Sequence, residues 1–315
     1  MIREETGPPP QRGRDRILIT GGASGLGRAM AARFAAAGWR VAIADLDADA
    51  GERARVELAG AVSFHPLDVR DSIGWARVRQ WCEREWGGLD VLVNNAGVAV
   101  AGRMEAVSTD DWDWILDINL KGVVRGCREF APLFTRQGHG HLINMASMAG
   151  LMNLPAMSSY NVSKAGVISL SETLRYELAP HGVHTTVVCP AFVQTDLDRH
   201  MRAADPSLVN TTATLMAASK VTADDVAERV LQAVHRPRFL VLTHREGRIA
   251  WRVKRFVPAL VDRVVARGWR RARARSTQAG GNSPATEVPV TGDGAAEDGI
   301  TGDGKHRKAG NGGHR

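Results

Sequence analysis

The sequence has no run of 18 consecutive apolar residues, so no segment reads as a membrane-spanning helix. Residues 1–15 are rich in proline, glycine and charge, lack the apolar stretch of a secretory leader, and read as a disordered lead-in. Both absences point to the cytoplasm. Cysteine is scarce: Cys82, Cys127 and Cys189 are odd in number and widely spaced, with no Cys-x-x-Cys, which excludes a disulfide framework or a zinc site. Acidic counterweight is missing from one segment only. Residues 245–275 carry a net +9, whereas 276–315 and the preceding 244 residues each carry −1. A nucleic-acid-binding domain would spread its basic residues over the folded face, so no nucleic-acid partner is expected.

What the chain does have is enough apolar residues, 44%, for a sizeable core. The run at 16–20 stops at Gly-rich 21–27, after which Met30, Phe34 and Ala37 keep helical spacing up to Gly38: strand, glycine turn, helix. Gly21, Gly25 and Gly27 let the backbone come close to a pyrophosphate, and the helix N-terminus offers unpaired N–H groups to its charge. A strand at 41–44 ends in Asp45, whose carboxylate can accept hydrogen bonds from both hydroxyls of an adenosine ribose and repel a 2′-phosphate. The competing role, less favoured, is to cap the helix beginning near Ala48.

Helices at 48–59 and 71–86 alternate with strands at 61–66 and 90–93, and Asn94-Asn95-Ala96-Gly97 follows the latter. A long helix spans 109–135 with Asn119 in its middle, either bending the helix or satisfying a core amide. Strands at 141–145, 183–189 and 238–242 follow, with a helix containing Tyr160 after Pro155. This alternation specifies an α/β fold: a single Rossmann-type domain over 16–244, a doubly wound parallel seven-stranded sheet with ligands at the carboxyl ends of its strands. Ser147, Tyr160 and Thr195 converge at that edge.

Tyr160 and Lys164 are four apart and share one helix face. A free phenol titrates near pH ~10, and a cation within a few Å lowers it by roughly 1–3 units, bringing Tyr160 into acid/base range.

Together, Thr-Gly-Gly-Ala-Ser-Gly-Leu-Gly at 20–27, Asn-Asn-Ala-Gly at 94–97, Asn119, Ser147, Tyr-Asn-Val-Ser-Lys at 160–164 and the turn at 190–195 resemble the short-chain dehydrogenase/reductase family over about 16–243. The resemblance implies a general acid/base in Tyr160, a lysine in Lys164 that lowers its pKa and holds the nicotinamide ribose, substrate positioning by Ser147, and a water relay through Asn119. It implies a pyrophosphate turn from Gly21, Ser24, Gly25, Leu26 and Gly27, adenine contacts from Asp68 and Val69, and cofactor contacts from Asn95, Ala96, Gly97, Pro190, Val193 and Thr195. Neutral Ser24 and acidic Asp45 point to NAD rather than NADP as cofactor, with no metal. Ala191 departs from the glycine usual after the proline. The family commonly forms homodimers or homotetramers through the helices bearing Asn119 and Tyr160.

Met148, Leu151, Met152, Leu154, Phe192, Leu197, Met201 and Leu208 suggest an apolar pocket, hence a small hydrophobic secondary alcohol, diol or ketone as substrate. Alternatives are a 3-oxoacyl (carrier protein or CoA) reductase and, in another class, a non-catalytic nucleotide-binding sensor or membrane-associated scaffold. In the basic extension 245–275, Ile249, Val253, Phe256, Leu260 and Val264 form an apolar stripe that Pro258 divides between two helices. That stripe either packs over the substrate mouth or a partner subunit, or makes peripheral membrane contact with anionic lipid; packing is favoured and both stay open. Residues 276–315 read as a disordered tail.

Overall fold

The wholly buried run Arg16–Thr20 forms β1 inside a parallel sheet, with β2 (Arg40–Asp45) on one side and β4 (Val91–Asn94) on the other. The computed structural model describes residues 15–195, 201–204 and 206–280, with the side chains of 206 and 272–280 excepted. Adding β3 (Val62–Pro66), β6 (Gly140–Met145), β7 (Val183–Cys189) and β9 (Leu240–Leu242) gives seven parallel strands in the order β3-β2-β1-β4-β6-β7-β9. Two short strands missed by the sequence, β5 (Val100–Ala101) and β8 (Arg202–Ala203), pair separately.

Alternate side chains of each buried strand face opposite layers. Ile17, Ile19, Val41 and Ile43 pack with Met30 and Phe34 of α1 (Gly25–Ala36) and Val226 and Val230 of α9 (Ala223–His235). Leu18, Leu92 and Leu142 pack with Trp75 of α3 (Ser72–Trp86) and Phe130 and Phe134 of α5 (Gly122–Gln137). Helix α2 (Ala48–Glu57) flanks β3, and α8 (Pro206–Ala217) precedes α9.

The helix expected over 109–135 is interrupted. Helix α4 (Thr109–Leu116) ends in a π-helical turn, Asp117–Lys121, before α5 begins. After β6 come a four-residue helix, α6 (Ala149–Met152), and α7 (Ser158–Leu178), which carries Tyr160. Beyond β9, the expected division at Pro258 separates α10 (Arg245–Phe256) from α11 (Pro258–Gly280). One compact unit runs to Trp269; of the second, beginning at Arg270, residues 270–280 are described and are helical. The tail assigned from 276 begins inside α11, and residues 281–315, like 1–14, lie outside the described residues.

The bottom of the sheet is fastened by a buried ion pair. Arg16 Nε and a terminal guanidinium nitrogen donate to the two Asp90 oxygens at 2.7 and 2.8 Å, and the Arg16 backbone N–H adds a third bond at 3.0 Å. Burial alone would raise the Asp90 pKa, but the hydrogen bonds and charge of Arg16 outweigh it and hold it low. Asp90→Ala strands the guanidinium, so a loss of about 3–5 kcal/mol is expected in denaturant unfolding; a loss under about 1 kcal/mol would show that the pair does not fasten β1 to β4.

Two histidines shielded from water, His141 buried and His65 half-buried, set the acid limit. His141 is pushed down to about 3 and His65 to about 4 by burial. Thr186 Oγ1 donates to the Arg238 carbonyl at 2.7 Å, so it accepts from His141 Nε2, also at 2.7 Å, and the neutral tautomer is fixed. Both rings titrate lower folded than unfolded, so the unfolded chain binds protons that the fold excludes. Their contribution is full above about pH 6.5 and declines as pH falls toward 4, by up to about 1.4 kcal/mol per pH unit for each ring. A melting temperature constant from about pH 7 to about pH 4.5 would rule this out.

Candidate active site

The loop between β1 and α1 is folded so tightly that side chains are excluded. Gly21 has φ +62°, and a Cβ there would lie 2.9 Å from Ala96 Cα; one on Gly27 would lie 1.8 Å from the Gly21 carbonyl oxygen. Gly25 has φ +48° and faces Thr195, whose Cβ would be 3.4 Å from an added methyl. Ser24 precedes α1 in extended conformation without capping the helix by its side chain, and the first turn has no acidic residue. The helix dipole and N–H groups there are left for an anion. Leu26 instead packs into the core.

Asp45 stands beside this cradle, its Oδ2 accepting from the Ala23 N–H at 3.0 Å and its Oδ1 from the Asp47 N–H at 3.2 Å. The capping role weighed for Asp45 belongs to Asp47, which accepts from the Ala50 N–H at 2.9 Å. Asp68 is paired with Arg70 at 2.6 Å, and Val69 is buried with its carbonyl accepting from Trp75 Nε1.

The loop after β4 is tied to the glycine turn. Thr20 Oγ1 accepts from the N–H groups of Asn95 and Ala96 at 2.9 and 3.1 Å, and Asn95 Nδ2 donates to the carbonyls of Thr20 and Gly21. The Asn95 amide thus orders the cradle from behind. Next to it, Asn119 is wholly buried in the π-helical turn; its Oδ1 accepts from Val98 N–H at 2.8 Å and its Nδ2 donates to Val98 O at 2.9 Å and Ser163 Oγ at 3.2 Å. Ser163 donates in turn to Tyr160 O at 2.8 Å. Of the two roles considered for Asn119, the satisfied core amide is the one the bonds show, and the helix takes π form at that point.

Tyr160 and Lys164 lie one turn apart on α7, both buried. Lys164 Nζ donates to Met145 O at 3.0 Å, lies 5.8 Å from the Tyr160 ring centre, and is pushed down to about 8 by burial. Gly97 makes room: a Cβ there would lie 3.1 Å from Asn119 Oδ1 and 3.4 Å from Lys164 Nζ. Burial raises the Tyr160 phenol above its ordinary value, opposed by a hydrogen bond with Ser147. Lys164 was expected to lower this value; in the chain itself desolvation prevails and the phenol stays high. Ser147 Oγ also accepts from Ala149 N–H at 3.1 Å and reaches Pro190 O at 3.4 Å, joining the ends of β6 and β7.

Of the apolar residues assigned to the pocket, Met148 belongs to the main core and Leu151 and Met152 pack against it, as do Ala191 and Trp251, while Met201 packs against the small cluster of Ala99, Val100, Ile115 and Tyr160. Phe192 and Leu208 are half-buried, Leu154 is exposed, and Leu197 lies outside the described residues. Val193 is buried in the core, behind the turn that brings Thr195 to Gly25. Helix α10 closes on α6: Lys254 Nζ donates to Leu151 O at 2.6 Å, and a Cβ on Gly247 would lie 3.2 Å from Met148 Sδ.

Three site residues had no assigned role in the sequence. Thr20 and Ser163 stand inside quoted motifs, and position alone could have flagged them. His244 has no motif; its Nδ1 accepts from Ala191 N–H at 3.2 Å and its Nε2 donates to Phe192 O at 3.0 Å, pinning the loop after β7.

A phosphate-ready cradle stands at one sheet edge with buried Tyr160 and Lys164 and half-buried Ser147. The chain is a nucleotide-dependent oxidoreductase and belongs to the short-chain dehydrogenase family, whose model matches residues 15–206. It is 35% identical over 202 residues to the probable oxidoreductase EphD of Mycobacterium tuberculosis, covering 62% of this chain but only 34% of that protein's length. It is 32% identical over 268 residues to a CLA biosynthesis dehydrogenase/reductase of Lactiplantibacillus plantarum, covering 78% of this chain and 94% of that one. A crystal structure of a short-chain dehydrogenase/reductase from Burkholderia phymatum in complex with NAD superposes with a TM-score of 0.75 at 30% identity, over 80% of this chain and 96% of the other.

Proposed function

We propose that this chain interconverts a hydrophobic secondary alcohol or diol and its ketone with NAD(H), using Tyr160 as general acid/base. The observation that carries this is the group of buried Tyr160 and Lys164 with half-buried Ser147, at the same sheet edge as the glycine cradle and Asp45. The donor set fits a dinucleotide: exposed helix N–H groups for the pyrophosphate, a carboxylate at the end of β2 for the ribose diol, and Lys164 for the second ribose. A bound nicotinamide supplies the hydride acceptor or donor.

The chain's own residues do the rest. Ser147 orients the substrate oxygen by a hydrogen bond. In reduction the Tyr160 hydroxyl gives its proton to that oxygen; in oxidation the phenolate takes it. Lys164, held by Met145 O, keeps a positive charge close to the phenol and stabilises its ionised form. Asn119 and Ser163 act through others, fixing Val98 and the Tyr160 backbone. Met201 beside Tyr160, and Leu151 near the mouth, favour an apolar substrate over a sugar. Initial rates with NAD and NADP over a panel of hydrophobic secondary alcohols and diols test this. Turnover confined to sugars would overturn the substrate class, and none on any alcohol together with no NAD binding would overturn the reaction. Self-association through α5 and α7 belongs to the same proposal, since α7 leaves Val162 and Tyr176 exposed at 48% and 63%.

A further inference from the structure

Away from the cofactor cradle, with β4, β6 and β7 between it and β1, lies an open cavity of about 670 Å³ against the edge strand β9. Five arginines line it from three directions: Arg229 of α9, Arg236 and Arg238 of the following connection, and Arg248 and Arg252 one turn apart on α10. Trp251, Leu240, Val241 and Leu242 are its larger apolar lining residues, and no carboxylate lines it.

Every arginine–carboxylate pair among the described residues lies elsewhere in the fold. The carboxylates nearest in sequence on α9 are hydrogen-bonded elsewhere, Asp225 to the Thr222 cap and Glu228 to Arg33, and of the two only Asp225 also feels the charge of Arg229. Arg229 Nε is a buried donor without a partner. Five like charges gathered round one space repel each other, and a buried unpaired donor costs stability, so the arrangement is complementary to an anion. A second copy of this chain meeting the cavity through the same face would double the arginines and add no carboxylate to the lining.

We propose that this cavity binds a phosphoryl-bearing polyanion whose apolar portion lies on Trp251. Guanidinium forks match phosphoryl oxygens bidentately, and five of them exceed what a single carboxylate or phosphomonoester can occupy. A soluble diphosphate ester and an anionic phospholipid headgroup share this chemistry. Helix α10 also touches α6 at the substrate mouth through Lys254 and Gly247, so an occupant would rest on the element that borders the active site.

The test uses the full chain, the double variant Arg248→Gln/Arg252→Gln, and Arg103→Gln, which breaks an exposed pair with Glu105, as a control. Arg248 and Arg252 are exposed, so the double variant is expected to fold, checked by its melting curve. Calorimetric titration with inorganic pyrophosphate at low salt, and flotation with phosphatidylglycerol/phosphatidylcholine vesicles, form the two arms. At least about a tenfold loss of affinity in the double variant, and none in the control, is expected in one arm. Loss in the pyrophosphate arm alone assigns a soluble ligand; loss of flotation, with pyrophosphate displacing the full chain from vesicles, assigns a lipid headgroup. Binding that is absent, or equal in full chain and double variant, in both arms overturns the proposal.

Discussion

Tyr160→Phe is expected to lower kcat by about 10²–10⁴-fold in both directions, the range that a positioned general acid or base contributes. The substitution removes one oxygen and keeps the ring, which packs among Ala99, Val100 and Ile115, so melting temperature and NAD affinity are expected to hold. Dye-free calorimetric binding beside steady-state rates separates the two effects. A variant keeping more than about a tenth of the wild-type rate would remove Tyr160 from the chemistry. The unmodified enzyme carries a matching signature in pH. Burial holds the phenol in its protonated form at neutrality. Under the proposed mechanism reduction uses that form, so its kcat/KM is expected to fall only at alkaline pH. Oxidation uses the phenolate, so its kcat/KM climbs with pH toward the alkaline limb.

The second large effect is on cofactor choice. Asp45→Asn keeps an oxygen that can accept from Ala23 N–H, as Asp45 now does at 3.0 Å, but removes the charge. A full carboxylate charge about 4 Å from one phosphate charge costs about 4 kcal/mol at the effective dielectric of a protein surface. The ratio of kcat/KM for NAD to that for NADP is therefore expected to fall by about 10²–10³-fold, most of it a gain for NADP. Rates with each cofactor, measured on one alcohol substrate, decide it. An unchanged ratio would mean that Asp45 serves only to hold the turn.

Much of this was legible in the sequence because local rules and tertiary demand agree there. The glycine turn falls where an apolar run meets a helical pattern, and the structure shows Gly21 and Gly27 closed against backbone with no room for a side chain. The seven main strands followed from short buried runs, and Pro258 starts a helix as its missing N–H allows. Other features depend on partners distant in sequence. Asp-Ile-Asn-Leu-Lys at 117–121 looks like uninterrupted helix, and its distortion accompanies the grip of Asn119 on Val98, 21 residues earlier. The apolar stripe of α10 was visible, but not that Trp251 turns into the core while Ile249 and Phe256 stay 53% and 77% exposed. His244 pins a loop 52 residues before it, and spacing carries no trace of such a bond. The pairing of β5 with β8 involves two residues on each side, too few to show a period.

The π-helical turn at Asp117–Lys121 lets this part of the chain carry an extra residue without disturbing the helices on either side. Such a turn holds one residue more than the α-helix it interrupts. The wider turn absorbs that residue, so α4 and α5 keep the phase of one uninterrupted helix and escape the rotation of about 100° that an added residue brings to a continuous α-helix. Ile115 of α4 therefore stays in the cluster with Tyr160 and Val100 while Phe130 and Phe134 of α5 stay against the sheet. A one-residue deletion that closes the turn is expected to leave both core surfaces in phase and to take Asn119 away from Val98. The extra residue serves the placement of Asn119 rather than the packing of either helix.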